Sequence, residues 1–368
     1  MKRLTIIVLC CLLSGCQFWT SSFELPVLID DIILGPRTTF FITNKQTLYG
    51  LGSFGASYVN KPIPIMSDVR NVISTWNTTI VLKKDGTLWE WGSARVFSKE
   101  PYEKKDEISK VLDNVKSIWG NESNLVYVLK EDDSLWVIGH NDCRVNPQPY
   151  VESGSMFKLT KVLEGVKEVS VQPFSGNAIA STLYGKHYIW GSTTFDSQRQ
   201  DVLSLFTDHD VTCQSTPLEV SIEFSVNQIV YQDQALLILT KEGDLYGLGS
   251  NHYSRLNSSS ETMIKTPTKM ATNIKRVQSS AFSIYVLSHQ HALYRIENER
   301  NSPTQGVSAV YLSNILNNVE MISSGVGSTM AITRDGIIYG WGNNEYNQLG
   351  HSNVKVISKL TKIGILKP

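Results

Sequence analysis

The chain has 368 residues, 41% of them hydrophobic, with 34 Lys and Arg against 34 Asp and Glu. So even a balance leaves no basic footprint for nucleic acid, which excludes DNA or RNA as the expected partner. The length is ample for a sizeable core, and by itself it would suggest two domains.

The N-terminus reads as an address. Lys2-Arg3 is a charged start, and Leu4–Leu13 is an apolar run too short to span a bilayer as a mature helix. It ends in Leu13-Ser14-Gly15-Cys16, which matches a bacterial lipoprotein box. There a small residue pair precedes a Cys whose thiol takes the lipid and becomes residue one. The expectation is a signal peptide over 1–15, a lipidated tether over 16–25 carrying palmitate on Cys16, and one folded domain over 26–368. Gln17 after the Cys is of the outer-membrane sorting type, which places the protein at the cell envelope, on the outer membrane.

From residue 26 onward the chain repeats itself. A phrase ending in aromatic-x-apolar-Gly occurs as LYGLG at 48–52, LWEWG at 88–92, LWVIG at 135–139, HYIWG at 187–191, LYGLG at 245–249, a worn LYRIE at 293–297 and IYGWG at 338–342. The closing residues fall 40 to 58 positions apart (52 to 92 the shortest interval, 191 to 249 the longest). Ahead of each phrase stands an apolar pair spaced V-x-x-I: Ile29/Ile32, Val69/Val72, Val115/Ile118, Val166/Val169, Val226/Ile229, Ile274/Val277 and Val319/Ile322. From the second member to the closing residue is 20 positions in five repeats, and 21 and 22 in the third and fourth.

Such constancy implies a fixed path of three strands joined by turns. The middle strands are β-branched and aromatic, as at Thr79–Leu82 and Thr329–Ile332. Asp85-Gly86, Glu242-Gly243 and Asp335-Gly336 are hairpin signals, because Gly accepts the positive φ of the turn. Both faces of the last strand are apolar, which a half-exposed sheet would not show. A period of this size with sheets buried on both sides points to propeller blades.

At this point the chain resembles the regulator-of-chromosome-condensation repeat family. The likeness rests on V-x-x-I, a strand, D-G-x-L-Y-x-W-G and a trailing N-x-x-x-Q-L-G, and it is fullest over Thr333–Gly350. It covers roughly residues 26–363. The family's Gly-Gly-x-His before the second strand is missing from every repeat, and its Gln-Leu-Gly stands only at Gln348–Gly350. The resemblance implies an all-β, seven-bladed β-propeller. Val354–Ile363 reads as an eighth repeat that stops, and so as a C-terminal segment that closes the ring by pairing with the N-terminal repeat.

Two cysteines remain in the folded part. Cys143 and Cys213 each follow neighbouring repeats, and an exported compartment permits a disulfide between them. Two free thiols are the open alternative. No constellation points to an enzyme, a cofactor or a metal. His289-x-His291 lies where a polar hairpin turn is expected, and there is no phosphate loop or nucleophile motif.

Trp76, Trp119, Phe174, Tyr231 and Phe282 share a phase, one to five residues after V-x-x-I. Equivalent loops of a propeller emerge on one face, so these aromatics either form a contact patch or plug the blade tops. Insertions at Ser93–Ser109, His140–Met156, Ser192–Thr216 and Asn298–Ala309 are read as long blade-to-blade connections that carry recognition. Members of the family act as guanine-nucleotide exchange factors, light sensors or enzyme inhibitors, each by a propeller face. The expectation is therefore a non-enzymatic protein-binding platform on a lipid tether, with an unidentified partner in the envelope or outside the cell. The alternative is a periplasmic propeller that acts on or binds carbohydrate, which would show two or more carboxylates with aromatics at the axial opening.

Overall fold

The computed structural model describes residues 22–367 except 26, 56, 94–95, 98–106, 123, 140–157, 197–198, 209–210, 253–254, 257–260, 281–282, 298–310 and 352–353. It is a seven-bladed, all-β propeller: six sheets of four strands and one of five. The strands of each four-stranded blade follow the chain, antiparallel, from the axis outward. The inner strands are Ile29–Leu34, Val69–Ser74, Val115–Gly120, Val166–Val171, Val226–Gln232, Ile274–Ser279 and Val319–Ser324. Each touches the next, and the first touches the seventh.

The V-x-x-I spacing has a structural cause. Residues i and i+3 of a regular strand face opposite ways. All seven inner strands slip by one residue against their neighbours just after the first apolar residue, as between Val69 and Asn71. This bulge turns both members of the pair to the core. All are buried except Val226, which is half-buried.

The phrase-ending glycine also has a cause. Gly52, Gly92, Gly139, Gly191, Gly249 and Gly342 all have positive φ. An added Cβ at Gly92 or Gly342 would collide with the carbonyl of Asn77 or Gly327, in the turn between the first two strands. At these two positions only glycine lets the third strand pass that turn.

Two expectations are corrected here. A fourth strand closes every blade: Ser57–Met66, Ser109–Leu112, Thr160–Leu163, Cys213–Val220, Met263–Ala271, Tyr311–Leu316 and Val356–Leu366. The insertions therefore lie inside blades, between third and fourth strands, and are not blade-to-blade connections. The last strand, read above as buried on both faces, is not buried throughout: Trp89 and Trp136 sit at intermediate exposure. Their Nε1 groups donate to Thr87 and Ser134 hydroxyls at 2.8 Å, and Lys83 and Lys130 lie over their rings. Trp91 and Trp190 are the buried ones.

Seams between blades carry paired aromatics. Trp190 of blade four donates its Nε1 proton to the Tyr127 hydroxyl of blade three at 2.8 Å, and the rings meet edge-on at 5.8 Å. Trp341 and Tyr285 repeat the arrangement between blades seven and six at 3.0 Å and 5.7 Å.

The ring closes as expected in kind, and the register shows how. Val356–Leu366 is the outer strand of blade seven, and the N-terminal strand Phe23–Leu25 adds to it in parallel, Phe23 opposite Gly364 and Leu25 opposite Leu366. An added Cβ at Gly350 or Gly364 would lie 2.7 Å or 2.9 Å from the Phe23 ring, so both positions must be small.

Candidate functional site

Alternating strand direction decides which loops share a side. In each blade the first-to-second and third-to-fourth connections emerge on one face, and the second-to-third turns emerge with the blade-to-blade links on the other. The aromatic positions and the insertions therefore share one face.

That face has a hydrogen-bonded collar around the axis. Trp76 N donates to Glu122 O at 3.5 Å, and Glu122 N to Pro173 O at 3.2 Å. Asn121 Nδ2 donates to Gln172 O at 3.2 Å and Ser175 O at 2.6 Å. Gln172 Nε2 donates to Asp233 O, and Gln232 Nε2 to Ser280 O at 3.0 Å. The turns of blades two to six are thus linked in sequence, which makes the face a rigid support.

The five aromatics do not share one environment. Trp76 and Phe174 stand in the turns and are 36% and 41% exposed. Trp119 is still within its inner strand, half-buried against the core between blades three and four. Tyr231 is a correction: it is 1% exposed and cannot touch a partner as the protein stands. Its inner strand runs on to Gln232, so its ring points into the blade rather than into a loop. Phe282 lies outside the described residues.

Tyr231 is buried by the blade-four insertion, a relationship that no local pattern announces. The insertion forms a hairpin, Thr194–Asp196 with Arg199–Gln200, then a short 3-10 helix over Val202–Leu205. Asp201 caps that helix, with Oδ1 accepting from Leu203 N at 2.9 Å and also from the Tyr231 hydroxyl. Val202 and Leu203 are fully buried beside Ile229, Leu236 and Leu248. The insertion is therefore packed into the junction of blades four and five.

Burial pushes the Asp201 carboxyl up to about 7, against hydrogen bonds from Leu203, Tyr231 and Asn177 that lower it, with Asp233 nearby adding to the rise. In the unfolded chain the same group ionises near pH 3.9. Between those values the folded state holds the extra proton, so this group's contribution to stability falls as pH rises from about 4 to about 7. The isosteric Asp201→Asn variant is expected to flatten that decline. Urea midpoints at acidic and neutral pH measure it, and an unchanged slope would refute the assignment. Some slope of the same sign should persist, because Glu122 is also raised to about 7 by burial.

Glu122 stands in the first-to-second turn of blade three, within the collar. Burial raises its carboxyl, and its own backbone N–H acts the other way. Among the described residues no group of three or more His, Cys, Asp and Glu can hold a metal. His291 Nδ1 lies 3.0 Å from Val319 O, at the link to blade seven.

Cys213, at the start of the outer strand of blade four, is exposed and disulfide-bonded. Cys143 and Cys16 lie outside the described residues.

The regulator of chromosome condensation (RCC1) repeat profiles match residues 321–348 and 335–362, which is blade seven. Among curated proteins, the chain is 24% identical to the Ultraviolet-B receptor UVR8 of Arabidopsis thaliana over 52% of its length and 45% of that protein's. It is 23% identical to the regulator of chromosome condensation of Xenopus laevis over 60% of its length and 45% of that protein's. The chain thus spans under half of either relative. Among solved structures, Prp20p of Saccharomyces cerevisiae aligns with a TM-score of 0.64 at 16% identity, over 85% of this chain and 82% of that one. That protein is known with binding properties to Gsp1p and histones, and in a complex with Kap60. This chain carries the RCC1 repeat on a seven-bladed propeller.

Proposed function

We propose that the protein is a non-enzymatic binding platform, lipidated at Cys16 and held at the bacterial envelope, probing for a protein partner with the face that bears the collar and the insertions. Propellers of this repeat type commonly mediate protein binding. The observation that carries the reading is the exposure of Trp76 and Phe174 on that rigid face. A large aromatic held out to solvent at no ordering cost is what an interface hot spot uses. A Cys143–Cys213 disulfide belongs to the same proposal. It would pin the blade-three insertion to blade four and add to the rigidity of the face.

Capture from envelope extracts with the purified protein tests the reading. Trp76→Ala and Phe174→Ala are each expected to weaken retention by about 1–2 kcal/mol. Their melting temperatures should hardly move, since both side chains are exposed. Tyr231→Ala should instead lose stability, because it empties a buried site. Unchanged partner retention in both exposed-site variants would sink the proposal.

A further inference from the structure

Arg37 occupies the first-to-second turn of blade one, on the same face. Its guanidinium carbon lies 5.6 Å from the Trp76 ring centroid and 4.8 Å from that of Tyr346, within cation–π range of both. Its Nε is buried and has no hydrogen-bond partner among the described residues. A buried N–H left unpaired is costly, and guanidinium donors are shaped to meet a planar two-oxygen acceptor. The backbone beneath is fixed. Ser53 N donates to Arg37 O at 2.9 Å, Thr38 Oγ1 donates to Ser53 O at 2.6 Å, and Gly52 has no room for a Cβ against the Arg37 carbonyl.

Arg37 and Trp76 line a cavity between blades one and two, together with Ser53, Asn77 and Ser93. Among the described residues, the lining contains one cationic residue, several hydroxyls and no acid. Its volume is about 50 Å³. A water needs about 10–15 Å³ on that measure, so the cavity takes a head of a few heavy atoms and no sugar ring. A doubly charged phosphate would want more than one cation, whereas a carboxylate is matched by a single guanidinium.

We infer that this cavity is a carboxylate-binding pocket, in which Arg37 pairs with an acidic side chain of the protein partner. The inference deepens the platform reading and rests on it for the identity of the donor, but the pocket's chemistry can be measured without any partner. Nothing in the local sequence marks Arg37, because Tyr346, one of its two rings, comes from the other end of the chain.

The experiment titrates the purified protein with a blocked acetyl-Gly-Glu-Gly amide, its Gln counterpart and inorganic phosphate, following the Arg37 Nε–H and Trp76 Nε1–H resonances. The Glu peptide is expected to bind about ten-fold more tightly than the Gln peptide, as a charge-assisted hydrogen bond implies. Arg37→Gln should erase that preference, and Arg37→Lys should restore part of it. Should Arg37→Gln fold poorly, the wild-type comparison of Glu with Gln still decides. Equal binding of the two peptides, tighter binding of phosphate, or no saturable response to the Glu peptide would overturn the assignment. Because no partner enters this titration, its failure is distinct from failure of the capture experiment.

Discussion

Replacing Trp190 with alanine is expected to destabilise the propeller by roughly 3–5 kcal/mol, the usual cost of emptying a buried aromatic site. Trp190 is 0% exposed, and its ring meets Tyr127 of the preceding blade edge-on. The loss has two parts. One is the cavity between blades three and four. The other is the Tyr127 hydroxyl, which loses its hydrogen bond while remaining fully buried. Burial also drives the Tyr127 pKa far upward, so the phenol stays neutral and cannot recover by ionising. Trp190→Phe keeps much of the volume and removes the donor, so it should cost less. A double-mutant cycle with Tyr127→Phe isolates the hydrogen bond. Urea unfolding of wild type, Trp190→Ala and the three variants of the cycle checks this, and a loss below about 1 kcal/mol for Trp190→Ala would show that the seam is not where blade stability resides.

Replacing Cys16 with serine is expected to abolish lipid attachment and move the protein from the membrane fraction to the soluble one. The thiol is the acyl acceptor in the reading of Leu13-Ser14-Gly15-Cys16, and a serine hydroxyl at neutral pH is a far weaker nucleophile. Loss of the chain's hydrocarbon removes about 0.8 kcal/mol per methylene of membrane affinity, so the effect is close to all-or-none. Metabolic labelling with an alkynyl palmitate, followed by fractionation, measures both consequences. A serine variant that still carried label, or stayed with the membrane, would defeat the anchor.

The repeat made the architecture legible because each blade needs the same local chemistry. The bulge after Val69, the tight turn at Asp85-Gly86 and the positive-φ Gly92 are each set by a few adjacent residues, so they write themselves into the sequence. A further such signal passes easily unnoticed. Asp68, Asn114, Asn273 and Asn318 hold positive φ immediately before V-x-x-I, where the chain turns from one blade into the next. The outer strands are harder to read. Ser57–Met66 is largely exposed and carries Pro62 and Pro64, as an edge strand tolerates and an inner one does not. Missing those strands is what moved the insertions from within blades to between them. The candidate site was the least legible part. Tyr231 and Trp76 share a phase after V-x-x-I, yet one is covered by an insertion anchored at Asp201 and the other is open. That difference depends on chain about 30 residues away, beyond the reach of any local pattern.

The three-residue strand that closes the ring has a consequence for geometry at the membrane. Only seven steps separate Cys16 from Phe23 (23 − 16 = 7), a leash of at most about 25 Å when fully extended. The strand runs parallel to the outer strand of blade seven, which itself starts at the face of Trp76 and Phe174 and runs away from it. The N-terminal end of the Phe23–Leu25 strand therefore lies at that same face. With a lipid at Cys16, the propeller would be docked close to the bilayer with its aromatic face turned down, and the partners within its reach would be those standing at the lipid surface.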